Sequence, residues 1–262
     1  MKIDGRQLAD GIKNKLIKAS ANCRLKLAIV LVGDDRASRQ FVARKEKIAK
    51  DLGVESVVWE FPADIKEDDL VEQIMVLNND QTVSGIIVQL PLPENISTEN
   101  ILSLIEPTKD VDALSPSTKV SSPVVLAVEE IFQSVNYDLT NKKIAVIGQG
   151  RLVGRPISVW LAGQGQEVVV IDENIKNPES ITKSMDVIIS GVGRPGIIKS
   201  DMIKDGTFLI DIGTSEQKGS IVGDIDPTCF AKASFYTPVP GGVGPLVVMM
   251  VFKNLLELGC FS

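Results

Sequence analysis

A chain of 262 residues with 44% apolar and 24% charged side chains has material for one large or two modest domains with real cores. Its formal net charge of −6, without a basic run or an aromatic–basic stripe, excludes a general nucleic-acid binder, and no apolar run reads as long enough to span a membrane. Histidine is absent, which excludes Ser-His-Asp and Cys-His catalysis and every histidine metal site. Cys23, Cys229 and Cys260 are odd in number and far apart, as expected of reduced thiols in a cytoplasmic protein. No metal site is expected from them. The N-terminal MKIDGRQLADGIK lacks the apolar core of a signal peptide.

Helical and strand patterns alternate through the first half. Leu8, Ile12 and Leu16 form an i, i+4, i+8 stripe, followed by a strand over 27–32. Phe41, Ile48 and Leu52 mark a second helix before a strand over 57–61. Leu70, Val71, Ile74 and Leu77 mark a third before the strand 85–88. A proline- and serine-bearing passage over 106–123 reads as a domain junction near its end. A helix over 124–133 then leads to strands at 143–147, 168–171, 187–189 and 208–210, and a last helix runs over 246–258. Repeated strand–helix units imply an α/β protein with parallel, helix-covered sheets. The expected domains are 1–120 and 121–245, with the helix 246–262 packing back on the first.

Strand 143–147 runs into GQGRLVG, with glycines at 148, 150 and 154, and then into a helix. Gly148 suits a tight turn, Gly150 lets backbone approach a pyrophosphate, and Gly154 lets the helix pack near the strand with its N-terminus facing negative charge. Asp172 ends the next strand 24 residues after Gly148, where a ribose-binding acid is expected. A carboxylate there accepts hydrogen bonds from ribose hydroxyls and repels a 2′-phosphate, by about 4 kcal/mol at ~4 Å and an effective dielectric of ~20. NAD is therefore favoured over NADP, with Arg151 and Arg155 as possible compensation.

Three clusters in the first half carry candidate chemistry. Ser38, Phe41 and Lys45 recur at spacings that share one helix face. A lysine there either faces a ligand or only lays its stem along an apolar surface. Gln89 follows directly from the strand GIIV and opens LPLP, at a strand's carboxyl end where open α/β sheets hold ligands. PTKDVDAL places Asp112 where it binds a donor-rich heterocycle or caps a turn. Late in the chain, TPVPGGVGP over 237–245 is a stiff, side-chain-poor loop at a helix start, suited to a flat ligand.

These blocks, in this order, resemble the methylenetetrahydrofolate dehydrogenase/methenyltetrahydrofolate cyclohydrolase family, and the resemblance covers essentially the whole chain, from DGRQLAD to TPVPGGVGP. It implies two α/β domains around a cleft, the second a Rossmann-type dinucleotide-binding domain, and a cytoplasmic homodimer of one-carbon metabolism and purine biosynthesis. It implies oxidation of 5,10-methylenetetrahydrofolate by hydride transfer to NAD or NADP, then hydrolysis to 10-formyltetrahydrofolate. By residue, it implies Lys45 as the lysine that helps water add, Gln89 as its tuning partner and Asp112 as the acid that binds the pterin. Ser38, Phe41, Pro238, Gly241 and Gly242 are implied at the folate. Gly148, Gln149, Gly150, Arg151, Val153, Gly154, Asp172, Gly191, Val192 and Gly213 are implied at the dinucleotide.

The chain departs from the family pattern at several positions. Phe41 stands where the family has tyrosine, which keeps stacking and loses a hydroxyl. Gln149 and Gly150 replace an arginine and a serine of NADP-using members, and Ala113 replaces a glycine. Val247 replaces a threonine, Ser121 and Ser122 replace Cys-Thr, and Asn95 replaces a histidine. Two other readings stay open: an NAD-linked dehydrogenase with weak or absent hydrolysis, and a non-catalytic folate- or dinucleotide-binding regulator.

Overall fold

Short, almost wholly apolar runs form the strands of two parallel sheets, and amphipathic helices cover them, as strands buried on both faces require. The computed structural model describes residues 1–217 and 219–260. In chain order these are α1 (Gly5–Ser20), β1 (Lys26–Val32), α2 (Arg36–Asp51), β2 (Glu55–Phe61), α3 (Glu67–Asn79), β3 (Gly85–Val88) and α4 (Thr98–Ser103). There follow α5 (Pro123–Ser134), β4 (Ile144–Ile147), α6 (Gly154–Gly163), β5 (Val168–Ile171), α7 (Pro178–Thr182), β6 (Val187–Ser190) and β7 (Phe208–Asp211). A hairpin of β8 (Ser215–Gln217) and β9 (Ser220–Val222), then β10 (Phe235–Tyr236) and α8 (Val243–Cys260), complete the chain.

The chain divides into two compact units. One holds Gly11–Pro123 and Val248–Ser262 around a parallel sheet of order β2-β1-β3. Its core gathers Val30, Leu70, Ile74, Ile86, Ile101 and Leu102, all but excluded from solvent. Residues from α8 belong to the same packing: a Cβ on Gly85 would lie 2.6 Å from both Leu255 Cδ1 and Val111 Cγ1. The buried Asn254 amide donates to the carbonyls of Val111 and Ser121, each at 2.9 Å.

The other unit holds Met1–Asp10 and Val124–Val247 around a five-stranded parallel sheet of order β10-β7-β6-β4-β5. The chain leaves β4 for β5 on one side and then crosses to β6 on the other, so the order reverses at β4. Ligands of open α/β sheets bind at such a reversal, outside the carboxyl ends of the strands. The first ten residues group here because the Ile3 amide donates to Tyr236 O at 2.9 Å and the Tyr236 amide to Met1 O at 3.0 Å. Gly5 N donates to Gly241 O at 3.0 Å, and a Cβ on Gly5 would meet Gly242 O at 1.7 Å.

Three expectations change. On α2 the buried residues are Ser38, Val42 and Ala49, while Phe41 is 37% exposed, so the aromatic does not belong to the buried apolar stripe. Cys23 and Cys260 form a disulfide with Cα atoms 6.0 Å apart, which overturns the expectation of three reduced thiols. Among the described residues Cys229 alone is free, and burial pushes its thiol up to about 11, which keeps it neutral. Finally, α8 is long and apolar enough to cross a membrane by length and composition, although 56% of it is buried as in a core helix.

Candidate active site and dinucleotide crevice

In the three-stranded unit, three segments bring Lys45, Gln89 and Asp112 together. The α2 helix begins cleanly because the Asp35 carboxylate accepts the Ser38 amide at 2.7 Å, the N-cap bond that sets the helix start. Two turns on, Lys45 Nζ donates to Gln89 Oε1 at 3.1 Å and lies 4.0 Å from Asp112 Oδ2. Gln89 sits directly beyond β3, its own amide donating to Val30 O at 2.9 Å, so it continues the ladder to the strand's carboxyl end. Its side-chain NH2 donates to Leu90 O at 2.7 Å, which turns the carbonyl end towards the lysine.

The 109–115 segment carries Asp112 on a fixed backbone. The Ile86 amide donates to Lys109 O at 2.7 Å, and the buried Asp110 carboxylate accepts the amides of Leu114 and Ser115 at 3.2 and 2.8 Å. Lys109 Nζ donates to the carbonyls of Leu77, Asn78 and Asp80, closing the end of α3. Ala113 takes φ 55°, a left-handed conformation that costs a non-glycine residue about 1 kcal/mol. Burial pushes the Asp112 carboxyl above its ordinary range, with the Lys45 ammonium pulling down and Asp110 pushing up. Ser38 Oγ is buried without a hydrogen-bond partner, and Arg44 lies over the Phe41 ring at 5.6 Å.

In the five-stranded unit, the glycine loop has the shape its spacing predicts. Gly148 takes φ 94° and donates its amide to Ile171 O at 2.8 Å, so the turn is tied to β5 just before Asp172. A Cβ on Gly154 would stand 1.9 Å from Gly148 O, whereas one on Gly150 would meet open space. The loop therefore closes tightly around its own backbone and leaves Gly150 bare, beside the N–H groups that open α6. That cradle fits a pyrophosphate. The Gln149 amide folds back on Gly148 O and Ser158 Oγ at 3.0 and 3.2 Å. Asp172 is exposed and accepts the Asn174 amide at 2.9 Å.

Gly191 and Val192 follow β6 and pack on this loop: a Cβ on Gly191 would meet Val153 Cγ1 at 2.2 Å. Gly213 lies beyond β7, against Asp224. Pro238, Gly241 and Gly242 belong to this unit too, in a turn that packs on Gly5. Two family models cover almost the entire chain, the tetrahydrofolate dehydrogenase/cyclohydrolase catalytic domain over residues 3–112 and its NAD(P)-binding domain over 122–260. The chain belongs to the tetrahydrofolate dehydrogenase/cyclohydrolase family.

A family relative, the Bifunctional protein FolD of Nautilia profundicola, is 38% identical over 97% of this chain and 95% of its own. The FolD methylenetetrahydrofolate dehydrogenase/cyclohydrolase structure of Campylobacter jejuni matches with a TM-score of 0.95 at 33% identity, covering 99% of this chain and 98% of that one. The Trypanosoma brucei N5,N10-methylenetetrahydrofolate dehydrogenase-cyclohydrolase, solved with NADP and an inhibitor, matches with a TM-score of 0.93 at 30% identity, covering 98% and 96%.

Sequence reasoning passed over a pair of buried acids in the five-stranded unit. Asp211 ends β7 and is 2% exposed, and burial pushes its carboxyl up to about 7 against three backbone amides that favour ionisation. The signal was present: an acid closing the apolar run FLID, and a second acid in GDID. Because the folded state holds this proton from about pH 4 to about 7 and the unfolded state does not, stability falls as pH rises through that window. Asp211→Asn is expected to flatten that fall, read as the difference in urea midpoints between pH 5 and pH 8.

Proposed function

We propose that Lys45, Gln89 and Asp112 form the hydrolytic and pterin-binding site of a bifunctional enzyme, and that the 148–154 crevice receives its dinucleotide. The enzyme oxidises 5,10-methylenetetrahydrofolate with NAD(P) and hydrolyses the methenyl product to 10-formyltetrahydrofolate. The observation that carries the site is the Lys45–Gln89 hydrogen bond, made between a helix and a strand end far apart in sequence.

Oxidation places little demand on acid–base groups. The reacting carbon lies between two nitrogens, whose lone pairs stabilise the cation as hydride leaves, so no proton has to be removed. The nicotinamide, when bound, supplies the acceptor for that hydride. The chain's part is to hold the folate and keep out water. Asp112 accepts from the amino and ring N–H groups of the pterin, and the Phe41 ring offers a stacking face.

Hydrolysis does need proton movement. Water adds to the methenyl carbon and loses one proton; the proton left on the hydroxyl then passes to N5 as the carbon–N5 bond breaks, which leaves the formyl group on N10. Lys45 Nζ manages that proton. Gln89 holds Nζ in place through a carbonyl whose orientation is fixed by its bond to Leu90 O. Loss of one positioned proton-transfer group costs about 100- to 10,000-fold. Lys45→Met is therefore expected to stop hydrolysis while oxidation continues, so that the methenyl chromophore accumulates in stopped flow with 5,10-methylenetetrahydrofolate. Unchanged hydrolysis would sink the assignment.

Phe41 supports a second reading, an NAD-linked dehydrogenase with weak hydrolysis, because the position provides a ring without a hydroxyl. In that case methenyl formed by the unaltered enzyme decays only at the buffer's own rate. Asp172 supports NAD as the working cofactor, since its exposed carboxylate lies just beyond β5, next to the Ile171 carbonyl that holds the glycine turn. Asp172→Ser is expected to improve kcat/KM with NADP relative to NAD by about 10-fold, the size of one weakened charge repulsion. Assembly as a homodimer belongs to the same reading, supported by Val159 on α6, an apolar side chain 66% exposed. Light scattering on the eluted protein should return twice the chain mass of 28.3 kDa; a monomer mass would remove this part.

A further inference from the structure

The acids at the end of β7 and beyond β9 meet neither folate nor dinucleotide groups in the reading above, yet each accepts three hydrogen bonds. Asp224 is fully buried. Its Oδ2 accepts the Ser190 hydroxyl at 2.8 Å and the Val192 amide at 2.7 Å, and its Oδ1 accepts the Arg194 amide at 2.8 Å. Asp211 stands behind it. Its Oδ1 accepts the amides of Gly213 and Asp224 at 3.0 Å each, and its Oδ2 that of Ile225 at 2.8 Å. The Asp211 amide in turn donates to Thr237 Oγ1 at 2.8 Å.

Close packing removes any slack. A Cβ on Gly213 would lie 2.2 Å from Asp224 Cγ, and one on Gly223 would lie 2.1 Å from Asp211 Oδ2. Neither glycine can carry a side chain without displacing a carboxylate. The segment that Asp224 holds is itself seated on the glycine loop. Val192 Cγ2 stands 3.2 Å from where a Cβ on Gly148 would be, and Val153 Cγ1 fills the space beside Gly191.

We propose that Asp224, backed by Asp211, is a positioning residue for the dinucleotide crevice: it fixes the 191–194 turn, and through Val192 and Gly191 the 148–154 loop, in the shape that receives the cofactor. This rests on reading that crevice as the dinucleotide site. Asp224 touches no reacting atom and acts only through the backbone it orders. Replacing one carboxylate oxygen by an NH2 group sets a donor against either the Val192 or the Arg194 amide, because each oxygen already accepts a backbone N–H. The turn then has to move.

The test compares Asp224→Asn, Ser190→Ala and Gly150→Val. Reduced dinucleotide binding is followed by nicotinamide fluorescence, and KM is measured for the dinucleotide and for methylenetetrahydrofolate. Asp224→Asn is expected to raise the dinucleotide Kd and KM by about 10-fold or more, the effect of one opposed hydrogen bond, with the folate KM held within about 2-fold. Ser190→Ala, which removes one bond to Asp224 and keeps the charge, shifts the same constants by about 2- to 5-fold. Dinucleotide constants that stay at the parent value, or two KM values that rise together, overturn the proposal. Should Asp224→Asn fail to fold, Ser190→Ala decides on the same criteria. A Cβ on Gly150 meets open space in the free protein, so undiminished dinucleotide binding in Gly150→Val would remove the crevice reading and the proposal with it. Weakened binding in Gly150→Val beside unchanged binding in Asp224→Asn removes the proposal alone.

Discussion

Carboxyl groups withdrawn from water must be surrounded by donors or neutralised, and this requirement organises the ends of both parallel sheets. Asp211 ends β7 and Asp224 follows β9, and Asp110 lies in the segment that bridges to Ile86 of β3; all three are buried among loop amides that have no ladder partner. Asp211 and Asp224 collect amides from segments that would otherwise be independent, and Asp110 collects those of its own turn. Asp110 ties the 109–115 segment to itself, while Asp211 and Asp224 join the loops after β6, β7 and β9. Asp112 meets the same constraint differently. It has Lys45 nearby in place of a ring of amides, and its carboxyl stays raised by burial. An acid left short of donors remains available to a ligand that brings them.

The absence of histidine is consistent with this arrangement. A reaction driven by nitrogen lone pairs needs a site that holds and dehydrates its substrate, and leaves only water addition to be managed by a side chain. In the proposed site one lysine, oriented by one amide, is a sufficient inventory. The Lys45 ammonium lies on the buried side of α2 only because Gln89 and Asp112 supply polar company there; without them its aliphatic stem would lie along the apolar surface and its charge would turn to solvent.

Much of this was legible from residue order. Apolar runs marked β1, β3, β4, β6 and β7 because strands covered on both faces need no alternation, and two of the three glycines after β4 answer a steric demand, Gly148 through its positive φ and Gly154 through its packing on Gly148 O. Other features leave weaker traces. The apolar stripe of α2 was placed on Phe41, since an aromatic outweighs the smaller Val42 and Ala49 that are in fact buried. The Asp211–Asp224 arrangement was missed because its partners are backbone amides, which sequence does not distinguish. The Cys23–Cys260 disulfide joins residues 237 apart, and no local pattern announces such a pairing. The two-residue strand β10 is defined by its neighbour β7 and by the pairing of Tyr236 with Met1 and Ile3 more than by its own composition.

The interlocked backbones of Gly5 and Gly242 have a consequence for how the chain is made. One unit closes only when residues near position 240 reach those near position 5, and the other only when Leu255 and Asn254 reach β3 and the 111–121 segment. A ribosome adding roughly 5–20 residues per second delivers both closing pieces last. The Gly85 end of β3 and the 111–121 segment therefore wait for their α8 partners until almost the whole chain has been made. Slow codons between β3 and α8 would lengthen that exposure, and slow codons in the final stretch would leave both cores unfinished on one nascent chain.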